Sequence, residues 1–373
     1  MSPTPFVPPP YPYDRLAPIA EIAALHDGGA IELSVGDPCD PPPPAAVAAL
    51  GGSGRERNYP FSIGGADYRD AAAEWIHRRL GVELGPAKLA ACVGTKEFVA
   101  GLPHLLRLRR PDLDTVLYPA VSYPSYAMGA TLAGCRAVPV AVDDHWRVDL
   151  STIDPADAKR ALCLWVNTPG NPTGGLDDLD AVAEWGRANG VPVFSDECYV
   201  EFTWDGPRRT ILTAGAAGVV AVHSLSKRSN LAGVRAGFYA GDADLVGYLS
   251  EVRKHLGIMV PGPVQAAAVA AWSDDAHVDE QATRYRKRLQ RLIGQLARLG
   301  LHASMPGGAF YLWVAAPDGD AWALTERLAR EVGVVASPGE FYGPAAVGHV
   351  RIAAVQPDEK LDLIDRRLEA AGL

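Results

Sequence analysis

Val219-Val220-Ala221-Val222-His223-Ser224-Leu225-Ser226-Lys227 is the stretch that decides the fold, and it continues as Arg228-Ser229-Asn230-Leu231-Ala232-Gly233-Val234-Arg235. Its first part is a run of apolar, mostly β-branched residues, which predicts a buried strand. Burial at the end of such a strand lowers the pKa of Lys227 and frees its amine for imine formation with a carbonyl. Ser224 and Arg235 flank this lysine as donors for an anion such as a phosphate. The alternative at this point is a strand that ends in a solvated lysine.

The size and composition are those of a large globular protein. The 373 residues are enough for a large core and two domains, and 48% hydrophobic with 21% charged residues are ordinary values. A formal net charge of −9 argues against nucleic acid or an anionic membrane as a partner. The five scattered cysteines match neither a disulfide framework nor a zinc spacing, so we expect reduced thiols and no metal. The sequence shows no membrane span and no signal peptide, so we expect a cytoplasmic protein.

Strands and helices alternate along most of the chain. A short strand is predicted at residues 31–35, ahead of this alternation. The alternating strands are predicted at residues 89–93, 115–118, 138–142, 161–166, 191–195, 219–224 and 236–240. This alternation predicts an α/β fold of three layers, in which helices cover both faces of a mostly parallel sheet.

Polar residues follow the carboxyl ends of several of these strands. Gly94 and Thr95 follow the first strand, Asn171 the fourth, Asp196 the fifth and Lys227 the sixth. The turn before a helix at Gly94 offers free N–H groups to an anion, although many α/β proteins have such turns for structural reasons. Ligands of open α/β sheets bind at the carboxyl edge. Because separate structural causes would not place all of these residues at one edge, we predict a single site there.

The pattern changes near residue 263, where helices precede a smaller region with strands at 309–314, 332–336 and 350–354. We therefore expect a large domain at residues 36–262 and a small α+β domain at 263–373, which the N-terminal arm at 1–35 joins in part.

The arm is rich in proline. It is either a ligand for a proline-recognising domain or, as we favour, an extended segment that packs on this protein or on a neighbouring subunit.

A lysine that forms an imine indicates pyridoxal phosphate, whose ring acts as an electron sink. The candidates are Asp196 for the ring nitrogen, Tyr199 and Asn171 for the ring hydroxyl, Tyr123 for the ring face, and Gly94, Thr95, Ser224 and Arg235 for the phosphate. Each has an ordinary alternative, since Tyr123 could be core, Asn171 a turn former and Asp196 a helix cap. Taken together on one edge, they predict a cofactor site.

The chain resembles the fold-type I pyridoxal-phosphate enzymes of the class I/II aminotransferase family over nearly its whole length. The matching motifs are Ser34-Val35-Gly36-Asp37-Pro38, Asn58-Tyr59-Pro60, Gly94-Thr95-Lys96, Asn171-Pro172-Thr173-Gly174, Asp196-Glu197-Cys198-Tyr199, Ser224-Leu225-Ser226-Lys227, Arg235 and Arg351. The resemblance implies that Lys227 binds the cofactor and, once released, moves the substrate proton, with Asp196 and Tyr199 as the other catalytic residues. Lys96 would join the cofactor-binding residues.

The same resemblance implies a homodimer and a substrate site. Tyr59 would reach the cofactor phosphate of the neighbouring subunit. Arg351 would hold the substrate α-carboxylate in a bidentate pair, beside the backbone of Gly36 and the side chain of Asn171.

A narrower resemblance is to the actinobacterial succinyldiaminopimelate aminotransferases of lysine biosynthesis, carried by residues 223–233, 252–255, 260–266 and 338–343. It implies transfer of an amino group between the L-glutamate/2-oxoglutarate pair and an acidic amino or keto acid, with N-succinyl-LL-diaminopimelate as the expected substrate. Lys96, Arg228 or Lys254 could then meet the distal carboxylates, although a solvated position is as good an explanation for each.

Two other interpretations stay open. The first is a pyridoxal-phosphate enzyme of specialised metabolism that catalyses elimination, replacement or decarboxylation, because cofactor motifs do not define the outcome of the reaction. The second is a regulator that keeps the fold without catalysis, and the lack of basic charge for DNA binding counts against it.

Overall fold

The computed structural model describes residues 6–85 and 88–373, so the first five residues of the predicted arm lie outside the described residues. Its strands are β1 (Ile31–Glu32), β2 (Leu89–Cys92), β3 (Thr115–Pro119), β4 (Arg136–Val140), β5 (Ala161–Asn167), β6 (Val193–Asp196), β7 (Val219–Ser224), β8 (Gly237–Gly241), β9 (Tyr311–Ala315), β10 (Val334–Val335), β11 (Ser337–Pro338) and β12 (His349–Ala353). Its helices are α1 (Ala17–Ala23), α2 (Pro44–Gly52), α3 (Ala66–Leu80), α4 (Thr95–Arg109), α5 (Ser125–Leu132), α6 (Pro155–Ala158), α7 (Leu179–Asn189), α8 (Leu225–Arg228), α9 (Ala243–His255), α10 (Gly262–Trp272), α11 (Ala276–Arg298), α12 (Ala321–Val332) and α13 (Asp358–Ala370). None of the helices within the described ranges has both the length and the apolar character needed to cross a membrane.

A seven-stranded sheet with the order β2-β8-β7-β6-β5-β3-β4 forms the centre of the larger core. Within it β8 runs antiparallel to β2 and β7, while the other adjacent strands pair in parallel. The predicted α/β fold with a mostly parallel sheet is therefore confirmed.

Helices cover both faces of this sheet because its strands are apolar on both sides. In β7, Val219 and Ala221 pack on one face with α3, α7 and α10, and Val220 and Val222 pack on the other with α4, α5 and α9. Every residue of β7 is buried. A strand that is apolar on both faces belongs in the middle of a covered sheet, which is where the structure places β7.

The registers of the sheet bring several strand ends to one edge. Gly237 in β8 pairs with Cys92 of β2 on one side and with Ser224 of β7 on the other. A Cβ at Gly237 would collide with the backbone of β7 and would lie 3.2 Å from the sulfur of Cys92, so this close approach requires glycine. Further along the sheet, Asn167 of β5 pairs with Asp196 of β6.

A second core lies around the antiparallel sheet of β11, β12 and β9 and the helices α11, α12 and α13. β1, which belongs to the predicted arm, pairs in parallel with β10, with Ile31 opposite Val334. α10 follows the boundary that we placed between residues 262 and 263, yet it packs in the first core against α2 and α3. The division into two domains stays a prediction. If the chain does divide in this way, α10 belongs with the large domain, because it packs in the first core.

The observed bounds of most strands differ from the predicted ones by one to three residues, and two of these differences have a visible cause. The strand predicted at residues 31–35 is shortened to Ile31–Glu32, because the carbonyl oxygen of Ser34 accepts hydrogen bonds from Arg351 and Ser337 side chains instead of a neighbouring strand. The strand predicted at 138–142 is Arg136–Val140, since its parallel pairing with β3 begins at Arg136.

Candidate active site

A pocket of about 420 Å³ lies at the carboxyl edge of the large sheet and takes walls from both cores. Most of the predicted site residues line it, namely Gly36, Thr95, Lys96, Tyr123, Asn171, Asp196, Tyr199, Ser224, Lys227, Arg235 and Arg351. The remaining lining residues are Tyr11, Tyr13, Val35, Tyr126, Asn167, Cys198, Ser226, Ala232 and Tyr311. Residues that are up to 340 positions apart in the chain therefore meet here because the strand ends and the second core share this edge.

Gly94 and Tyr59 are the two predicted site residues outside this lining. Gly94 directly precedes α4 with a φ of +73°, and a Cβ there would collide with the guanidinium of Arg235, so glycine lets these groups approach. Tyr59 is 96% exposed, and this chain alone does not bring it to its own pocket. Its contact with a neighbouring subunit stays a prediction.

Lys227 lies in α8, the short helix that follows β7 directly. Its amine donates a hydrogen bond to the carbonyl oxygen of Gly36, which ties the end of β7 to the loop after β1. Burial lowers the pKa of Lys227 to about 8. The amine therefore reaches its neutral, nucleophilic form at mildly alkaline pH, which is the state that the predicted covalent role requires.

Asp196 ends β6 as a buried carboxylate. The hydroxyl of Tyr126 donates to its Oδ2 at 3.0 Å, and the backbone N–H of Cys198 donates to its Oδ1 at 3.2 Å. Burial raises the pKa of Asp196, and no cationic side chain in the described part of the chain offsets this effect. A cationic group of a ligand would therefore find an unpaired buried carboxylate here.

Anion donors gather around Gly94. The hydroxyl of Ser224 donates to Ser226 Oγ at 2.9 Å, and the N–H of Ser226 donates to Ser224 Oγ at 3.1 Å, so Ser224 caps α8. The guanidinium of Arg235 donates to the carbonyl oxygen of Ala232 at 2.7 Å, which holds it against Gly94. Two hydroxyls and one fixed cation thus face the same part of the pocket.

The start of α4 adds backbone N–H groups to these donors. The helix begins at Thr95 and is long enough for its free first-turn amides and its dipole to favour an anion. Its first turn is held in place by a bidentate ion pair, in which Arg253 of α9 donates to the two carboxylate oxygens of Glu97 at 2.7 and 2.8 Å.

Arg351 in β12 is buried and keeps a free donor. Its guanidinium donates to Asn171 Oδ1 at 2.7 Å and to the carbonyl oxygen of Ser34. The group lies 4.3 Å from the ring centroid of Tyr311 and 4.8 Å from that of Tyr342. Its Nε has no hydrogen-bond partner among the residues that the structure describes. A buried guanidinium N–H without an acceptor is suited to a carboxylate of a ligand.

The remaining predicted aromatic residues contact their neighbours in the pocket. Tyr199 and Tyr311 share a hydrogen bond of 2.9 Å between their hydroxyls, so a residue of the second core holds the predicted donor of the ring hydroxyl. Tyr123 lies beside Tyr126, with ring centroids 6.5 Å apart and rings close to perpendicular. Tyr123 thus lines the pocket in addition to packing on the core.

Sequence reasoning missed several pocket residues, for two different reasons. Cys198 and Ser226 lie within motifs that we quoted, and Tyr126 and Asn167 lie three and four positions from Tyr123 and Asn171, so their position at or after a strand end could have indicated them. Tyr11, Tyr13 and Tyr311 come from the arm and from β9, and no local signal separates them from core tyrosines.

Two of the three cations considered for a distal carboxylate are placed elsewhere. Arg228 is buried outside the pocket lining, where it lies 3.4 Å from a carboxylate oxygen of Glu201 and 3.1 Å from one of Asp275. Lys254 lies 3.6 Å from Glu251 on an exposed part of α9. The expectation is therefore wrong for Arg228 and Lys254, and Lys96 is the one of the three that lines the pocket.

These groups fit pyridoxal phosphate. The unpaired buried carboxylate of Asp196 suits a protonated ring nitrogen, and the hydroxyls, amides and guanidinium around Gly94 suit a phosphate. Lys227 lines the same pocket as both groups.

Comparisons with known proteins agree with this site. The model of the aminotransferase class I and II family matches residues 29–367. The chain is 40% identical over 367 residues to a probable aminotransferase of Mycobacterium tuberculosis, which covers 95% of this chain and 83% of that protein. It is 38% identical over 368 residues to the 4-dedimethylamino-4-oxo-anhydrotetracycline transaminase of Streptomyces rimosus, with coverages of 96% and 99%. The solved structure of a probable N-succinyldiaminopimelate aminotransferase of Thermus thermophilus superposes with a TM-score of 0.85 at 30% identity, with coverages of 96% and 99%.

The chain therefore belongs to the class I and II aminotransferase family. It is a pyridoxal-phosphate-dependent transaminase of fold type I, which confirms the predicted cofactor and class of enzyme. The interpretation as a non-catalytic regulator is wrong.

The lowered pKa of Lys227 predicts how the cofactor-free enzyme takes up pyridoxal phosphate. Covalent capture needs the neutral amine, so its rate should rise about tenfold from pH 6 to pH 7 and level off above the pKa of about 8. Stopped-flow absorbance measures this rate, with N-acetyl-lysine in place of the enzyme as the control for ionisation of the cofactor itself. A rate that continued to rise beyond pH 9, as for the control amine, would contradict the assignment.

Proposed function

We propose that this enzyme transfers an amino group between L-glutamate or 2-oxoglutarate and a long acidic amino or keto acid. The substrate that we favour is N-succinyl-LL-diaminopimelate, which places the enzyme in lysine biosynthesis. The observation that carries the proposal is that the pocket holds two cations for carboxylates, Arg351 and Lys96, in addition to those that suit the cofactor.

The cofactor supplies an electron sink that acidifies the substrate Cα proton when it is bound. Asp196 would hold its ring nitrogen in the protonated form, and Tyr199 and Asn171 would donate to its ring hydroxyl. Thr95, Ser224, Arg235 and the amides of Gly94 and Lys96 would hold the phosphate, and Tyr123 would pack on the ring. The amine of Lys227 would hold the cofactor covalently and, when free, would take the proton from the substrate Cα.

Arg351 binds the α-carboxylate of either substrate. Its Nε is free and its charge is buried between Tyr311 and Tyr342, so a carboxylate meets it with little competition from water. Asn171 fixes the orientation of the guanidinium through its Oδ1, and the backbone of Gly36 lies beside the same site.

Lys96 binds the second carboxylate of an acidic substrate. Its Nζ lies 5.2 Å from the ring centroid of Tyr11 and 5.8 Å from that of Tyr123, on the wall of the pocket. No carboxylate neutralises it in the described part of the chain. L-Glutamate and N-succinyl-LL-diaminopimelate both carry a carboxylate beyond the α-carboxylate, so one cation serves both half-reactions.

The active form that we propose is a homodimer. Tyr59 is 96% exposed and Phe61 is 74% exposed, so this segment presents two large aromatic side chains to solvent in the single chain. In the dimer, Tyr59 contacts the cofactor phosphate of the other subunit, as the family resemblance implies.

A second candidate function is an enzyme of specialised metabolism on the same scaffold. The observation that favours it is the 38% identity over nearly the full length of a transaminase named for 4-dedimethylamino-4-oxo-anhydrotetracycline. This candidate would share the cofactor residues and would transfer an amino group to a different ketone.

Substrate addition separates these two candidates. With L-glutamate alone, the absorbance band of the holoenzyme near about 420 nm should shift to about 330 nm, and 2-oxoglutarate should restore it. N-Succinyl-LL-diaminopimelate should cause the same shift in single-turnover measurements. A shift with L-glutamate but none with N-succinyl-LL-diaminopimelate would contradict the proposed substrate and favour the second candidate.

Substitution of Lys96 tests the distal carboxylate site. Lys96→Gln should lower kcat/KM for L-glutamate about ten- to hundredfold, because a charge-assisted hydrogen bond is lost, while the backbone amide that faces the phosphate stays. kcat/KM for L-alanine, which has no second carboxylate, should stay within about twofold, and Lys96→Arg should keep most of the activity with glutamate. Equal losses of kcat/KM for glutamate and alanine would show that Lys96 does not bind the distal carboxylate.

A further inference from the structure

Cys198 contacts both polar ends of the cofactor site. It lines the pocket, and its backbone N–H donates to Asp196 Oδ1 at 3.2 Å. Its Sγ lies 3.3 Å from the hydroxyl oxygen of Thr95, at the start of α4, and donates a hydrogen bond to it. One residue thus connects the carboxylate that suits the ring nitrogen with the hydroxyl that suits the phosphate.

The thiol of Cys198 is a hydrogen-bond donor. Burial raises its pKa well above the ordinary value, and the charge of Asp196 acts in the same direction. The thiol therefore keeps its proton at neutral pH. The contact between Sγ and the hydroxyl of Thr95 is then a hydrogen bond that the thiol donates.

The contact limits where the hydroxyl proton of Thr95 can go. A threonine hydroxyl has one proton to donate and lone pairs to accept, and Cys198 occupies one of its acceptor positions. No other hydrogen bond of the Thr95 hydroxyl is present within residues 6–85 and 88–373. The proton is thus left for an acceptor in the pocket.

We propose that Cys198 is a positioning residue for the cofactor phosphate, because its S–H group turns the O–H of Thr95 toward the phosphate oxygens. The proposal rests on the cofactor site described under the proposed function and does not depend on the identity of the amino-acid substrate. Alanine or valine at this position could pack against the same neighbours, but neither side chain could donate a hydrogen bond to Thr95.

The test is the affinity of the cofactor-free enzyme for pyridoxal phosphate and for pyridoxal, which lacks the phosphate. Cys198→Ala should weaken pyridoxal phosphate binding about three- to tenfold, the effect of one lost hydrogen bond, and should leave pyridoxal binding unchanged. Cys198→Ser, which keeps a donor, should recover part of the loss. Cys163→Ala removes a buried core thiol of β5 that does not line the pocket and is the matched control, expected to change neither affinity.

A double-mutant cycle with Thr95→Ala completes the test. In that background Cys198→Ala should add no further loss of pyridoxal phosphate affinity, because the hydroxyl that it orients is gone. Equal losses for pyridoxal and pyridoxal phosphate, or the same loss with and without Thr95, would overturn the proposal in favour of simple packing. No substrate is present in these titrations, so such a failure leaves the proposed substrate intact. A wild-type protein that bound no pyridoxal phosphate would overturn the cofactor site and this proposal with it.

Discussion

Parallel pairing of β5, β6 and β7 is the constraint on which the rest of this structure depends. It places Asn167, Asp196 and Ser224 at one edge of the sheet, at the ends of adjacent strands. β8 then returns antiparallel and lets β2 end at the same edge through the paired position of Gly237. Apart from Tyr123, which follows β3, and Tyr59, the groups that we assign to the cofactor follow one of these strand ends.

The pocket contains two buried charged side chains whose hydrogen-bonding or ionic partners are incomplete. Folded proteins seldom leave such groups without a partner. Among the residues that the structure describes, Asp196 has no cationic partner and the Nε of Arg351 has no acceptor, although both side chains are buried. Such groups are costly to bury alone, and they are found where a ligand completes them. The contrast with Arg228 is instructive, because this equally buried guanidinium is fully occupied by Glu201, Asp275 and backbone carbonyls and takes no part in the pocket. Unpaired charge, more than burial, separates the site residues from structural ones.

The parts of this structure that could be predicted from the sequence are those with a local signal. β7 was predictable because its apolar residues continue over both faces, and Asp196 and Lys227 because they are polar residues directly after such strands. Tyr13 and Tyr311 were not predictable, since they reach Arg351 and Tyr199 from 338 and 112 positions away. The exclusion of Arg228 also required the structure, because the carboxylates that neutralise it lie 27 positions before it and 47 positions after it in the chain. Sequence periodicity carries no information about contacts of this range.

The central claim is that Lys227 is the covalent anchor of the cofactor in this pocket. Borohydride reduction of the holoenzyme, followed by proteolysis and mass spectrometry, tests it most directly, because reduction makes the linkage permanent. The account predicts one modified peptide, which contains Lys227. Modification of Lys96, the other lysine that lines the pocket, or the absence of any modified lysine would contradict it.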